Sequence, residues 1–359
     1  MKLLTRYIGR EVLTAVMFIF AGLCALFAFF DLIHELGDVG RGGYTLATAA
    51  AFVALQIPAR MYELFPVAAL IGTLFAMAQL VANSEYTVMR ASGASLLQVT
   101  WALVRIGIPL AVATFLAGEY VAPPADRLAQ HLRIQSRGDS RVVAQQFRSG
   151  FWFKQDQTFV NIRGVLSDMT LVGVRIYEFD QGMQLRSLRM AESGKYGDDG
   201  RWRLANVRTT ALGMQSARVT TSASEVWETI LRPSLLTVYQ VAPERLELNT
   251  LWDNMRLLGG SSQKTTRFEI AFWNKVFYPV AVVVMMILAL PFAYIQRRSG
   301  GVGARIFAGT MLGLAFFLIG RLFTNLGLLN DWPPLFSAVF PLVVFVAIAA
   351  TMLWFLERR

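Results

Sequence analysis

Ser84-Glu85-Tyr86-Thr87-Val88-Met89-Arg90-Ala91-Ser92-Gly93 is a ten-residue polar stretch set between two apolar runs of membrane length. Glu85, Met89 and Arg90 recur at helical spacing, and Gly93 suits the end of a helix because glycine takes the left-handed conformation at low cost. The stretch reads as a short amphipathic helix lying against a bilayer face. On the residues alone two readings stay open, a handle shaped to be gripped and an ordinary charged turn between spans.

Composition sets the frame for that stretch. Of 359 residues, 55% are apolar and 16% charged, and the mean hydropathy is +0.46. A chain this oily is a polytopic membrane protein rather than one soluble domain. Its net charge of +10 is then a matter of membrane edges and of an anionic cargo, not of nucleic acid. Cys24 is the single cysteine and sits in the first apolar run, which excludes an intrachain disulfide and a cysteine-based metal cage.

The spans follow from the uncharged runs. Lys2, Arg6 and Arg10 precede Val12 to Phe30, nineteen residues, or about 28 Å of helix against a hydrocarbon core of about 30 Å. The run ends in bulky Phe29-Phe30-Asp31 rather than in small residues, so it is a retained span and not a signal peptide. Asp31 to Glu63, with Gly37, Gly40, Gly42 and Gly43, is expected to form an outer loop leading into an oblique helix. Phe65 to Ser84 is the second span. A third is expected between about Leu97 and Val121, interrupted by Arg105 and Glu119, which reach interfacial water if the helix tilts. Val276 to Gln296, Ile306 through Arg321, and Trp332 to Leu356 complete six.

Between the third and fourth spans the character changes. Pro123-Pro124 are expected to break the helix, and Ala125 to Gln145 is polar and helical in pattern. Beyond it, Val172, Val174 and Ile176 alternate with Gly173, Arg175 and Tyr177, and Trp202 and Leu204 alternate with arginines. That is the period of half-buried strands. Asp199-Gly200 signals a hairpin, and Gln155-Asp156-Gln157 a second turn. Six to eight short strands without intervening helices indicate a sandwich or jelly roll. Asn249 to Leu258 is a small helix before the return to the membrane. The expected organisation is spans 1–3 in residues 1–121, an inserted domain in 122–270 with its β part near 140–247, and spans 4–6 in 271–359. With six spans the short-loop cations Lys2, Arg6, Arg10, Arg90, Arg297, Arg298, Arg305, Arg358 and Arg359 share one side, and Asn325 to Pro334 carries none. The positive-inside rule then puts both termini and the Ser84–Gly93 segment in the cytoplasm and the β domain outside.

No catalytic set stands out. With His34 and His131 the only histidines, a catalytic metal has no ligand pattern. Gly259-Gly-Ser-Ser-Gln-Lys264-Thr265 lacks the glycine before lysine that a phosphate loop needs, and Gly301-Val-Gly303 has Ile306 where a dinucleotide fold needs glycine. No cofactor is expected, and the chain has no visible means of hydrolysing ATP, though it could receive work from something that does. Gly309 and Gly313 in the fifth span permit close helix approach, either as plain packing or at an interface that opens. Arg321 in the same span must face protein, water or an anion, unless it snorkels to the headgroups. Arg133 and Arg137, four apart, are a solvated pair or a phosphate contact.

Six spans divided by an extracytoplasmic β domain, with Arg6-Tyr-Ile-Gly9, Phe65-Pro-Val-Ala-Ala-Leu-Ile-Gly72, Ser84 to Gly93, Glu119-Tyr-Val-Ala-Pro123 and Phe277-Tyr-Pro-Val-Ala281, resemble the LptF/LptG family of lipopolysaccharide export permeases. Glu119 to Pro123 and Trp273-Asn-Lys275 are nearer the LptG branch. The resemblance covers essentially the whole chain and implies an inner-membrane ABC transporter permease without a nucleotide site of its own. It would pair with an LptF-type sister, sit on an LptB-type cytosolic ATPase dimer, and work with an LptC-type single-span partner and an LptA-type periplasmic bridge. In that picture Glu85, Tyr86, Met89 and Arg90 belong to a coupling helix docked in the ATPase. There Glu85 docks by polar contact, Tyr86 and Met89 fill the groove, and Arg90 forms an ion pair. The first and fifth spans form lateral gates, and lipid phosphates meet His34, Arg41, Arg133, Arg137 and Arg321. A family stretch rich in basic residues reads Asp31-Leu-Ile-His34-Glu35 here, which shifts the positive charge toward Arg41, Arg133 and Arg137. A second class, a membrane-anchored assembly scaffold with no transport path, fits the same topology.

Overall fold

The uncharged runs become helices because a bilayer offers backbone amides no partner but the chain itself. A computed structural model describes residues 2–40, 42–137, 150–166, 169–197, 199–213, 216–229, 231, 243–259, 265–295 and 302–358. Helix α1 covers Lys2–Leu36, α2 Leu46–Ala82, α3 Glu85–Ala91, and α4 Leu96–Leu116, which continues through a π-helical turn, Ala117–Val121, into α5, Ala122–Arg137. After the sheet come a short 3-10 turn at Pro243–Arg245, then α6 Leu248–Gly259, α7 Thr266–Ile295, α8 Val302–Leu329 and α9 Pro334–Glu357. Six helical stretches are long and apolar enough to cross a membrane, namely Thr5–Leu36, Leu46–Ala82, Leu96–Arg133, Thr266–Ala293, Phe307–Leu329 and Pro334–Glu357. If each crosses, alternation puts both termini and α3 at one end of the bundle and the sheet at the other.

The bundle is built around α2, the most buried of the six spans. From α1 a stripe four residues apart, Ile8, Val12, Val16 and Phe20, is buried in the core, where it meets Ala68, Ala69, Ala76, Met77, Leu80 and Val81 of α2. Between lipid-bathed helices, close packing has to replace the hydrophobic drive. Gly72 provides it, since a Cβ there would lie 2.4 Å from Val16 Cα. A second cluster joins Leu70 and Leu74 of α2 to Met285, Leu288 and Ala289 of α7 and Phe345 of α9. The remaining faces of α1 and α8 stay apolar and exposed, Phe18 at 77% and Phe307 at 65% among them.

The glycine-rich stretch is the expected loop, residues 37–45, and a helix follows it, but the second span does not wait for Phe65: α2 begins at Leu46 and runs unbroken through Pro58 and Pro66 to Ala82. Its start is fixed by a capping box, in which Thr45 Oγ1 accepts from the Thr48 amide and Thr48 Oγ1 accepts from the Thr45 amide. The charges that bound this segment are neutralised, Arg60 donating twice to Asp31 of α1 at 2.8 and 2.9 Å and once to Glu63 at 3.2 Å. Nor do Pro123-Pro124 break the third span. The carbonyls a proline ring would strike, four residues back, are those of Glu119 and Tyr120, and both lie in the π turn, whose wider pitch makes room for the rings. The helix therefore extends beyond the membrane-length stretch to Arg137.

The inserted domain is a six-stranded antiparallel sheet in consecutive order, β1 Phe151–Gln155, β2 Thr158–Val165, β3 Leu171–Phe179, β4 Leu185–Tyr196, β5 Trp202–Leu212 and β6 Ala217–Trp227. Both expected turns form. Asp156 takes a left-handed φ of 53° between Gln155 and its pair Thr158, and Gly200 a φ of 76° between β4 and β5. One face is buried, with Phe153, Val160, Ile162, Val174, Ile176, Trp202, Leu204 and Val207 in its core. The alternation slips where the backbone turns left-handed. At Gly173 (φ 66°) the inward set passes from Ile176 and Val174 to Leu171, so Val172 is not fully buried, and at Asn206 (φ 53°) it passes from Leu204 to Val207. Trp202 Nε1 donates to the Leu231 carbonyl at 2.7 Å. Among the described residues the strands form a meander, without the crossover that separates a jelly roll from one.

Candidate functional site

At the end of the bundle opposite the sheet, α3 is a seven-residue helix, too short to hold itself together. It is held from below. Tyr86 is buried in the same cluster as Ile8, Met77 and Val81, and Met89 packs against that cluster. Burial pushes the Tyr86 hydroxyl above its ordinary pKa, against a smaller downward pull from Arg90. Glu85 closes the other side, its Oε2 accepting from the Tyr7 hydroxyl of α1 at 2.8 Å and its Oε1 from Asn83 at 3.4 Å. Thr87, Val88 and Arg90 face outward. Of the residues assigned to a partner's groove, then, Arg90 stands free of the bundle, while Tyr86 and much of Met89 point into the protein's own core. The outward Val88, 66% exposed, escaped the sequence reading, although its place between Glu85 and Arg90 on the polar side was the available signal.

At the other end the basic residues separate into three groups. His34 is exposed near the end of α1. Arg133 lies 3.3 Å from the Glu35 carboxylate and 3.6 Å from that of Asp38, and it stacks over Phe52 at 5.0 Å. Glu35 is itself buried and accepts from the Tyr44 hydroxyl at 2.9 Å. Arg41 and the side chain of Arg137 lie outside the described residues, as do Arg297 and Arg298.

Arg321 lines a cavity of 510 Å³ between α2, the π turn, α5, the 3-10 turn, α7, α8 and α9, with Tyr62, Asn274, Tyr278, Phe316, Phe317 and Gly320 among its walls. The size suits a drug-sized or single-chain ligand. Its guanidinium stacks over Phe317 at 4.7 Å and pairs with no carboxylate among the described residues. Gly309 and Gly313 lie below the cavity and pack on α2. A Cβ at Gly309 would meet Leu74 at an ordinary 3.4 Å, and one at Gly313 would press on Val67 at 2.9 Å. A Cβ at Gly320, about two turns further, would meet nothing within 4 Å. So α8 follows α2 closely at one end and parts from it at the other.

Glu119 is the largest departure from expectation. It does not reach interfacial water. It is buried, and its Oε2 lies 2.8 Å from the ammonium of Lys275, which is also buried. The sequence carried a signal, a charge inside each of two apolar helices, but not that the two meet across 156 residues (275 − 119). Arg105 is exposed, its guanidinium over the Trp101 ring at 5.9 Å.

The family model for the lipopolysaccharide export system permease LptF/LptG matches residues 6–355. The chain is 32% identical over 357 residues to the lipopolysaccharide export system permease protein LptG of Haemophilus influenzae, covering 99% of this chain and 98% of that protein. It is 33% identical over 360 residues to the protein of the same name from Escherichia coli strain K12, with the same coverage. Six apolar helices interrupted after the third by an antiparallel sheet, and a match that runs end to end, place this multi-pass inner-membrane protein in the LptF/LptG family of lipopolysaccharide export permeases.

Proposed function

We propose that the chain is the LptG-type permease subunit of an ABC transporter that draws lipopolysaccharide from the outer leaflet of the inner membrane and passes it to a periplasmic bridge. It works beside an LptF-type sister and an LptC-type single-span partner, with an LptB-type ATPase dimer on the cytoplasmic side and an LptA-type bridge beyond the sheet domain. The observation that carries this reading is the mounting of α3. A helix that merely decorated a loop would not bury Tyr86 in the bundle or hold Tyr7 of α1 through Glu85. Force applied to its outward face, Thr87, Val88 and Arg90, reaches α1 and α2 directly, and α1 is the span whose exposed apolar face is free to form a gate. Both termini are cytoplasmic in this arrangement. Arg321 offers positive charge and His34 a ring N–H to lipid phosphates, and the cavity beside Arg321 offers apolar wall for acyl chains.

The test is Glu85→Lys in the complex reconstituted with sister and ATPase subunits in proteoliposomes. The introduced ammonium cannot accept from Tyr7 and reverses the charge at the first turn of α3, while Tyr86 still anchors the helix in the bundle. ATP hydrolysis is expected to continue while lipopolysaccharide release to an added bridge protein stops. Normal release by this variant would refute the coupling role, and a wild-type complex that binds no ATPase would favour the scaffold instead.

A further inference from the structure

Four consecutive residues of the segment returning from the sheet are each fastened to a span or its extension. Arg245 donates to Asp126 of α5 at 3.1 Å. The Leu246 carbonyl accepts from Lys275 Nζ of α7 at 2.6 Å. Glu247 pairs with Arg127 of α5. The Leu248 amide donates to Glu119 Oε1 of the π turn at 2.9 Å. Two of the four ties go to the Glu119–Lys275 pair, which closes the set from within at 2.8 Å. The outgoing leg of the sheet domain is α5 itself, continuous with the third span. Both legs are thus clamped together at one level, and the clamp's centre is a carboxylate and an ammonium, 8% and 4% exposed at their side chains.

A buried ion pair is weak evidence for stability, since taking two charges out of water costs as much as their attraction returns. Ionisable groups within membrane helices are instead a functional signal, and π turns concentrate at functional sites. We propose that Glu119 and Lys275 are positioning residues for lipid transfer. They lock residues 245–248 to the third and fourth spans, so that a displacement of those spans is carried into the returning segment. The inference rests on the permease reading above and concerns a different step, delivery beyond the membrane rather than coupling to ATP.

The experiment uses the full complex in proteoliposomes with the double variant Glu119→Gln and Lys275→Met. The introduced glutamine still accepts from the Leu248 amide and the introduced methionine fills the space of the lysine stem, so packing is kept while the ion pair and the Leu246 tie are removed. Lipopolysaccharide delivered to a soluble bridge protein per ATP hydrolysed is expected to fall about tenfold, within the usual range for coupling between sites. ATPase rate and melting temperature should stay at wild-type values, and the single variant Lys275→Arg, which keeps charge and donors, should deliver as wild type. Wild-type delivery per ATP by the double variant overturns the proposal. Joint loss of melting temperature, ATPase and delivery also overturns it, because the pair then only supports the fold. A wild-type complex that hydrolyses ATP and delivers no lipid would remove the permease reading itself, and this inference with it.

Discussion

Replacing Tyr86 by alanine should release α3 from the bundle without unfolding the bundle. The side chain is 4% exposed, and a buried tyrosine covers roughly 150–250 Å², which at about 25 cal/mol per Å² corresponds to about 4–6 kcal/mol. Measured aromatic truncations fall at about 3–5 kcal/mol, so about 3 kcal/mol is a cautious figure. The hydrophobic scale applies because α3 lies outside the six spans and its alternative environment is water. At about 1.4 kcal/mol per tenfold, the opening equilibrium of α3 rises roughly a hundredfold. Tyr7→Phe removes only the hydroxyl that Glu85 accepts from, a single hydrogen bond of about 1 kcal/mol and so a several-fold effect. Hydrogen exchange of the amides from Ser84 to Gly93 measures both, with the backbone bond from Ser92 to Val88 as the internal marker. Tyr86→Ala should lose most of that protection and Tyr7→Phe little. Equal loss in the two variants, or none in either, would show that burial of Tyr86 is not what holds the helix.

Three further outcomes follow from the packing and the charges. Gly72→Ala drives a methyl into the Val16 backbone at 2.4 Å and should cost about 1–3 kcal/mol in a melting experiment in detergent, whereas Gly309→Ala, with 3.4 Å of room, should melt as wild type. Arg133→Ala removes the ion-pair partner of the buried Glu35 carboxylate, to which Tyr44 still donates, and should destabilise by about 1–3 kcal/mol with or without lipopolysaccharide present; a variant that melts normally but loses lipid binding would support the phosphate-contact reading of Arg133. In the sheet, burial pushes Glu178 upward, but the Ser187 hydroxyl and Arg189 outweigh it and hold the carboxyl below its ordinary pKa. A carboxyl depressed on folding adds stability above its unfolded pKa, about 4.3, and loses it as pH falls through the folded value. The melting temperature should therefore drop below about pH 5 in wild type and less steeply in Glu178→Gln.

Much of this architecture was legible because membrane spans obey a one-dimensional rule. A run of uncharged residues long enough to cross has one fold available, and six such runs with cations at alternate ends left little freedom in topology. Strands were legible where two-residue alternation held and illegible where Gly173 and Asn206 turned left-handed, since a local change of phase leaves no mark in composition. Helix ends were misjudged for a related reason. Pro123-Pro124 are breakers in an ideal α-helix, and only the π turn beneath them removes the clash. The site divides in the same way. The outward residue Arg90 could be named from spacing alone, but which side of a seven-residue helix faces its own protein depends on the core beneath it, and that core comes from α1, α2, α4 and α7 together.

Charge placement carries the argument one step further. Glu119 looked like an interfacial residue in sequence, because a charge near the end of an apolar run can always be assigned to water, and nothing in sequence marked the partners of Asp31, Glu35, Asp38, Arg60 or Lys275. In the structure each is instead paired, Asp31 with Arg60, Glu35 and Asp38 with Arg133, and Glu119 with Lys275. All three groups lie at the sheet end of the bundle, and each joins elements apart in sequence. At the opposite end α3 is held chiefly by an aromatic side chain in an apolar cluster. The two fastenings respond differently to motion: apolar contacts allow one helix to slide past another with small changes in energy, whereas a buried ion pair tolerates little separation before two charges stand alone. The ion-paired end therefore resists separation of its helices more steeply than the α3 end does.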